Sequence, residues 1–314
     1  MGRGNLSASE EQTVDQLKRL FAVNFPAEIE VGIGDDAAVL LGIKNKLVAT
    51  TDMAVEDVHF KLAWSTPFEI GAKLTTANLA DLFAMGATPK YLLVAAGLPT
   101  DLNESFVAEF AKGIRSVADK FSVAVVGGDL SKSAKVVLTI TAFGDLAGEP
   151  VTRSGAQVGD HIYVSELPGL SAAGHAILNR GLDRPRYVVQ AHLNPKLVPP
   201  IQLVQVATAM CDISDGISID GSNIAQASKV NFSLDKELIS AASGFNDLAE
   251  LAKELSEDVF DWILNGGEDH FFLATVNPQK GIDLPAIKIG EVVAGDGKVL
   301  LDGAEIKRAG YQHF

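Results

Sequence analysis

The chain has 314 residues and a formal net charge of −14, from 26 Lys plus Arg against 40 Asp plus Glu, with 47% hydrophobic residues. This length suits two domains, and the apolar content supports a packed core and excludes disorder as the dominant state. The acidic balance argues against generic binding to nucleic acid or to an anionic membrane surface, and the single cysteine, Cys211, excludes an internal disulfide and any Cys-rich metal site.

The N-terminus has no apolar core of signal-peptide length, and no run approaches the ~18 apolar residues of a membrane span, so a cytoplasmic protein is expected. Ser7 with Glu10 reads as a capping box, and Val14, Leu17, Leu20 and Phe21 recur at helical spacing, predicting a helix over 10–21. Residues 37–41 and 46–53 read as strands. Thr66-Pro67 opens the longest helical pattern, which Gly86 closes. A buried strand is expected over 91–98, a helix over 104–119, a strand over 122–129 running into glycines, and a further strand over 135–145. The Gly- and turn-rich block 148–160 places a domain boundary near residue 150, giving domains 1–150 and 151–314. The second half opens with a strand, then a helix over 171–181, a helix over 201–209 and a short strand into CDISDG, after which helices and strands alternate. The fold class is α/β (α+β), in two halves of similar size.

Walker-type, dinucleotide, HExxH, GxSxG and kinase signatures are absent. Aspartates expected at strand ends, mostly beside glycine, stand out instead: Asp35 and Asp36, Asp52, Asp129, Asp212 and Asp215, and Glu268 with Asp269, with Asp81 on the long helix. Taken singly, an Asp-Gly pair reads as a turn, Asp81 as a solvated helix face, Asp212 with Asp215 as a helix start, His59 as a plain polar side chain and Cys211 as a small buried hydrophobe. Together they suit a hard divalent cation, and glycines beside them let a phosphate approach the backbone. A carboxylate-rich pocket accepts an anionic substrate only when cations intervene. The residues therefore point to a metal-bridged phosphate site, in preference to a calcium module, for which EF-hand spacing is missing.

The segments GIGDDAAVL, ATTDMAVEDVHF, GAKLTTANLADLFAMGATPKYLL, VVGGDLSKS, TRSGAQVGDHIYVS, CDISDGIS, GGEDHFF and IGEV occur in this order. The series resembles the thiamine-monophosphate kinase family, within the superfamily of aminoimidazole-ribonucleotide synthetase and selenophosphate synthetase. The resemblance implies transfer of the ATP γ-phosphoryl group to thiamine monophosphate, with several Mg²⁺ ions. It also implies a homodimer whose N-terminal mixed sheets pair into a barrel-like interface, and a C-terminal α/β sandwich that completes the nucleotide and substrate site. Carried over by motif, the metal ligands are Asp36, Thr50, Thr51, Asp52, Asp81, Asp129, Asp212 and Asp215, the threonines through hydroxyl or carbonyl oxygens. Asp52 and Asp81 bridge metals and carry catalysis without a general base. Gly128, Asp129, Arg153 and Ser214 meet ATP, and His59, Glu268 and Tyr311 line the acceptor pocket. An aromatic that contacts adenine in some relatives is Ala111 here. Another ATP-dependent enzyme of the superfamily and a non-catalytic metal- or nucleotide-binding protein are the alternatives.

Overall fold

The computed structural model describes residues 10–21, 29–31, 39–40, 44–103, 105–281 and 283–310. The chain divides into two compact units, Met1–Leu82 with Ala87–Gly148, and Phe83–Gly86 with Glu149–Phe314. The architecture is mixed α+β, with one principal sheet in each unit.

The first stretch runs α1 (Glu10–Phe21), β1 (Ile29–Val31), β2 (Val39–Leu40), β3 (Lys46–Val55), α2 (Pro67–Ala84), β4 (Thr88–Leu98), α3 (Ser105–Ala118), β5 (Ala124–Lys132) and β6 (Val137–Leu146). Strands β1 and β2 pair with each other. The principal sheet has the order β3-β6-β4-β5, with β4 and β5 parallel and the other pairs antiparallel. It is open, and no closed barrel occurs among the described residues. Alternation builds its core: Leu138, Ile140 and Ala142 of β6 are fully buried, while the residues between them are half-exposed. Helix α2 starts at a capping box. The Glu69 carboxylate accepts from the Thr66 amide at 2.8 Å, and Thr66 Oγ1 accepts from the Glu69 amide at 3.2 Å. Its Ala72, Leu79, Ala80 and Leu82 are all fully buried, as expected for a helix that is apolar around most of its circumference.

The second unit contains β7 (His161–Val164), α4 (Leu170–Asn179), α5 (Arg186–Leu193), α6 (Ile201–Val206), β8 (Ala207–Asp212), α7 (Ile217–Ser228), β9 (Val230–Leu234), α8 (Lys236–Ser240), α9 (Phe245–Leu255), α10 (Val259–Asn265), β10 (Phe272–Val276), β11 (Ile287–Ala294), β12 (Val299–Leu301) and β13 (Ala304–Glu305). Its sheet has the order β13-β12-β9-β11-β7-β10-β8 and is antiparallel except between β12 and β9. Helix α7 packs against β8, β9, β10 and β12, and α4 and α5 pack on each other. No described helix is long and apolar enough to cross a membrane.

Three expectations change. The strand expected over 122–129 does not end at Asp129: β5 runs on to Lys132, which puts Asp129 inside it, and Gly128 pairs with Val94 of β4. The helix expected over 201–209 stops at Val206, because Ala207–Asp212 pair with β10. Helix α5 has no counterpart in the sequence reading. Ser7 of the first capping box lies outside the described residues.

Candidate functional site

In the first unit, β3 carries Thr50, Thr51 and Asp52 in its interior rather than at its end. Successive strand residues face opposite ways, so Thr50 and Asp52 share one face and Thr51 takes the other. Thr50 Oγ1 donates to Asp81 Oδ2 of α2 at 2.6 Å, which joins the strand to the helix at a half-buried carboxylate. Thr51 Oγ1 is engaged with β6, 3.1 Å from the Ile140 carbonyl oxygen and 3.1 Å from Thr141 Oγ1, so its hydroxyl does not converge on Asp81. His59 follows β3 in a tight turn, where its Nδ1 accepts from the Val55 amide at 3.1 Å, placing its proton on Nε2. Gly128 and Asp129 are exposed on β5, an edge strand. A Cβ at Gly128 would overlap the carbonyl of Val94, so the close pairing of β4 and β5 requires glycine there. Beside them lies a cavity of about 220 Å³, lined mainly by apolar residues, among them Leu17 and Phe21 of α1, Phe106 and Phe110 of α3, and Gly128 and Asp129.

In the second unit, Asp212 closes strand β8, and Ser214 and Asp215 sit in the turn that follows it and leads into α7. Asp212 is 4% exposed, and its Oδ2 lies 3.2 Å from His270 Nδ1, itself 6% exposed. The turn is joined to the 267–270 loop by backbone bonds from Glu268 to Ser214 and from His270 to Ile213, at 2.9 and 3.1 Å. A Cβ at Gly267 would overlap the Ser214 carbonyl, so this contact also requires glycine. Glu268 and His270 adopt φ of +63° and +53°, a left-handed strain that their surroundings must hold. Glu268 Oε2 lies 3.6 Å from His192 Nδ1, and Ser171 Oγ lies 3.1 Å from the same nitrogen. Arg153 is exposed, and its charge acts on Asp220 of α7. Asp36 and Tyr311 lie outside the described residues.

Two buried carboxylates organise this region. Asp220 Oδ2 accepts from three successive amides, those of Ser214, Asp215 and Gly216, at 3.0–3.1 Å. Burial, reinforced by the charge of Asp212, pushes its carboxyl up to about 7. Asp269 accepts from the amides of Gly169 and Ser171 at 2.8 and 3.0 Å, holding the start of α4. Burial pushes Asp269 up to about 6, although those two amides favour its charged form.

Residues 34–146 match the family model described as AIR synthase related protein, N-terminal domain. The thiamine-monophosphate kinase of Mycobacterium tuberculosis is 36% identical over 324 residues, covering 98% of this chain and 95% of that one. The chain belongs to the thiamine-monophosphate kinase family. Solved structures agree with this membership. That of thiamine-monophosphate kinase from Stenotrophomonas maltophilia K279a has a TM-score of 0.82 at 30% identity, covering 95% of this chain and 98% of that one. AaThiL complexed with AMPPCP and TMP has a TM-score of 0.80 at 32% identity, covering 97% of each.

For this thiamine-monophosphate kinase family member, the structure joins Thr50 to Asp81 directly and brings Asp212 at the end of β8 and the Ser214–Asp215 turn beside the loop that carries Glu268. Asp220 and His270 were not singled out from sequence, and Asp269 stood out only beside Glu268, without its partners. For Asp220 a signal existed: an acid in the first turn of a helix, just after the turn it caps, is a variant of the capping box. For Asp269 and His270 the partners are distant in sequence, and no local pattern announces them.

Proposed function

We propose that the chain transfers the γ-phosphoryl group of ATP to thiamine monophosphate, giving thiamine diphosphate and ADP. The observation that carries this reading is the family match over nearly the whole chain, which extends to a solved relative complexed with AMPPCP and TMP. AMPPCP is a non-transferring ATP analogue, so that relative accommodates a nucleotide triphosphate.

The donor set suits Mg²⁺. Among the described residues, no group of three or more His, Cys, Asp or Glu side chains is placed to hold a metal on its own. Mg²⁺ does not require one: it keeps waters and binds through one or two carboxylates plus substrate phosphates. Asp36, Thr50, Thr51, Asp52, Asp81 and Asp129 would hold it in the first unit, Thr51 through its carbonyl, and Asp212 and Asp215 in the second. When bound, Mg²⁺ neutralises phosphate charge.

The chain's own residues position the reactants. Gly128 lets phosphate approach β5 beside Asp129, and Arg153 and Ser214 contact ATP. The apolar cavity next to Asp129 takes the adenine, and its aromatic walls replace the one absent at Ala111, which is itself fully buried. His59, with its proton on Nε2, donates to an acceptor phosphate oxygen. Glu268 and Tyr311 complete the acceptor pocket. The acceptor phosphate is already ionised at neutral pH, so transfer proceeds in line without a general base or a phosphoenzyme, by positioning and charge neutralisation. Residues 1–150 then form the ATP, metal and dimerisation domain, and residues 151–314 contribute the remaining nucleotide and substrate residues. Leu47 and Met53, 57% and 55% exposed on the outward face of β3, argue that a second copy covers this sheet in a barrel-like homodimer. The proposed setting is the cytoplasm.

The test is product chromatography with Mg-ATP and thiamine monophosphate, with free thiamine and no acceptor as controls. Thiamine diphosphate formed from the monophosphate alone supports the reading. ADP release without that product moves the acceptor elsewhere in the superfamily, and no turnover favours a binding protein.

A further inference from the structure

The 213–216 turn presents an arrangement that the family match does not explain. Three successive amides at the start of a helix form a concave anion site, of the kind that elsewhere cradles phosphate. Here the site is filled from within. A single oxygen, Oδ2 of Asp220, accepts from the amides of Ser214, Asp215 and Gly216 at 3.1, 3.0 and 3.0 Å. Asp220 is 1% exposed, whereas Ser214 and Asp215 are half-exposed. The backbone of the turn is therefore turned inward, and its two accessible side chains are a hydroxyl and a carboxylate.

Neighbouring contacts hold the remaining faces of the turn. The carbonyls of Ile213 and Ser214 accept from His270 and Glu268, and Asp212 meets His270. Asp220 supplies the support on the amide side.

We propose that Asp220 is a positioning residue: by gathering the three amides it fixes Ser214 and Asp215 in place and closes the start of α7 to phosphate, so that the turn meets a nucleotide through a divalent cation and the Ser214 hydroxyl. The cation half of this inference rests on the reading of Asp212 and Asp215 as Mg²⁺ ligands; the closure of the turn does not.

The test uses the full chain with Asp220→Ala, Asp220→Asn and Asp220→Glu. Amide exchange over 213–217, measured without metal, reads the closure. Exchange there rises about 10-fold or more in the alanine variant, stays near the native rate in the asparagine variant, whose carbonyl oxygen still accepts, and is unchanged in peptides from the 44–148 region. Inorganic phosphate at millimolar concentration then restores protection in Asp220→Ala and does nothing to the native protein. The second readout is the Mg²⁺ concentration giving half-maximal thiamine diphosphate formation. It rises on the order of 10–100-fold in Asp220→Ala, more than kcat at saturating Mg²⁺ falls, and Asp220→Asn restores it. If Asp220→Ala does not fold, Asp220→Glu, whose carboxylate is displaced by one methylene, gives the same local rise in exchange. Native exchange over 213–217 in both the Ala and Glu variants overturns the inference, as does a rise spread evenly over the chain. A Mg²⁺ requirement unchanged by Asp212→Ala, with the exchange result intact, rejects the metal assignment and leaves the positioning role standing.

Discussion

In the first unit, Asp52 and Asp81 sit on a strand and a helix, and the hydrogen bond from Thr50 to Asp81 links the two elements. In the second, Asp212 and Asp215 flank a turn whose amides, carbonyls and side chains are bonded to Asp220, Glu268 and His270. A strand or helix aims its side chains through its own ladder of hydrogen bonds. A turn has no such ladder, so its aim must be supplied from other parts of the chain. The difference teaches that removing an acid from the first unit should cost function with little stability, whereas disturbing the turn in the second unit should cost both.

The sharpest test of that contrast is Asp52→Ala. Turnover to thiamine diphosphate is expected to fall by roughly 1,000-fold or more, with the melting temperature essentially unchanged, since Asp52 is half-exposed on an intact strand. A large drop in melting temperature would show that the first unit also depends on its acids for structure. Next is Thr50→Val, which keeps the shape of β3 and removes the 2.6 Å bond to Asp81. A loss of about 10–100-fold in activity or Mg²⁺ affinity is expected, again without unfolding; steady-state kinetics across a Mg²⁺ titration would read it. On the other side of the comparison, Gly267→Ala drives a Cβ into the Ser214 carbonyl. A destabilisation of about 1–3 kcal/mol is expected, with activity falling alongside it, as measured by denaturant unfolding and by assay.

The smallest expected effect concerns pH. The carboxyl of Asp269 titrates near 6 in the folded chain, above the usual carboxylate range, because burial disfavours its charge. The folded state therefore binds this proton more tightly than the unfolded state. The stability linked to this group is fully present below about pH 4 and is lost as pH rises through about 6. Asp269→Asn should flatten that part of the stability profile between pH 4 and 6.5, while lowering stability overall, because an amide cannot accept from both Gly169 and Ser171. Parallel profiles for the variant and the native protein would remove Asp269 as the source.

Much of the scaffold was legible. Thr66-Pro67 announced α2 and the apolar run announced β4, because each signal is written within one element. The end of the strand through GGD misled: β5 continues to Lys132, and Gly128 is needed within it because β4 approaches too closely for a side chain. The end of α6 misled as well, since pairing with β10 overrides helical periodicity from Ala207 onward. Among the candidate residues, the types were visible and their partners were not.

By itself the sequence determined most of the elements of the first unit, the acidic character and the family, since periodicity, turn chemistry and motif order are local or linear properties. Only the tertiary structure decided that Thr51 turns its hydroxyl to β6, that an apolar cavity opens beside Asp129, and that Asp220 rather than a ligand fills the amides of the turn. Asp212 and His270 stand 58 positions apart and still meet at 3.2 Å. Such contacts arise when sheet pairing brings β8 beside β10, and that pairing is a property of the folded sheet as a whole.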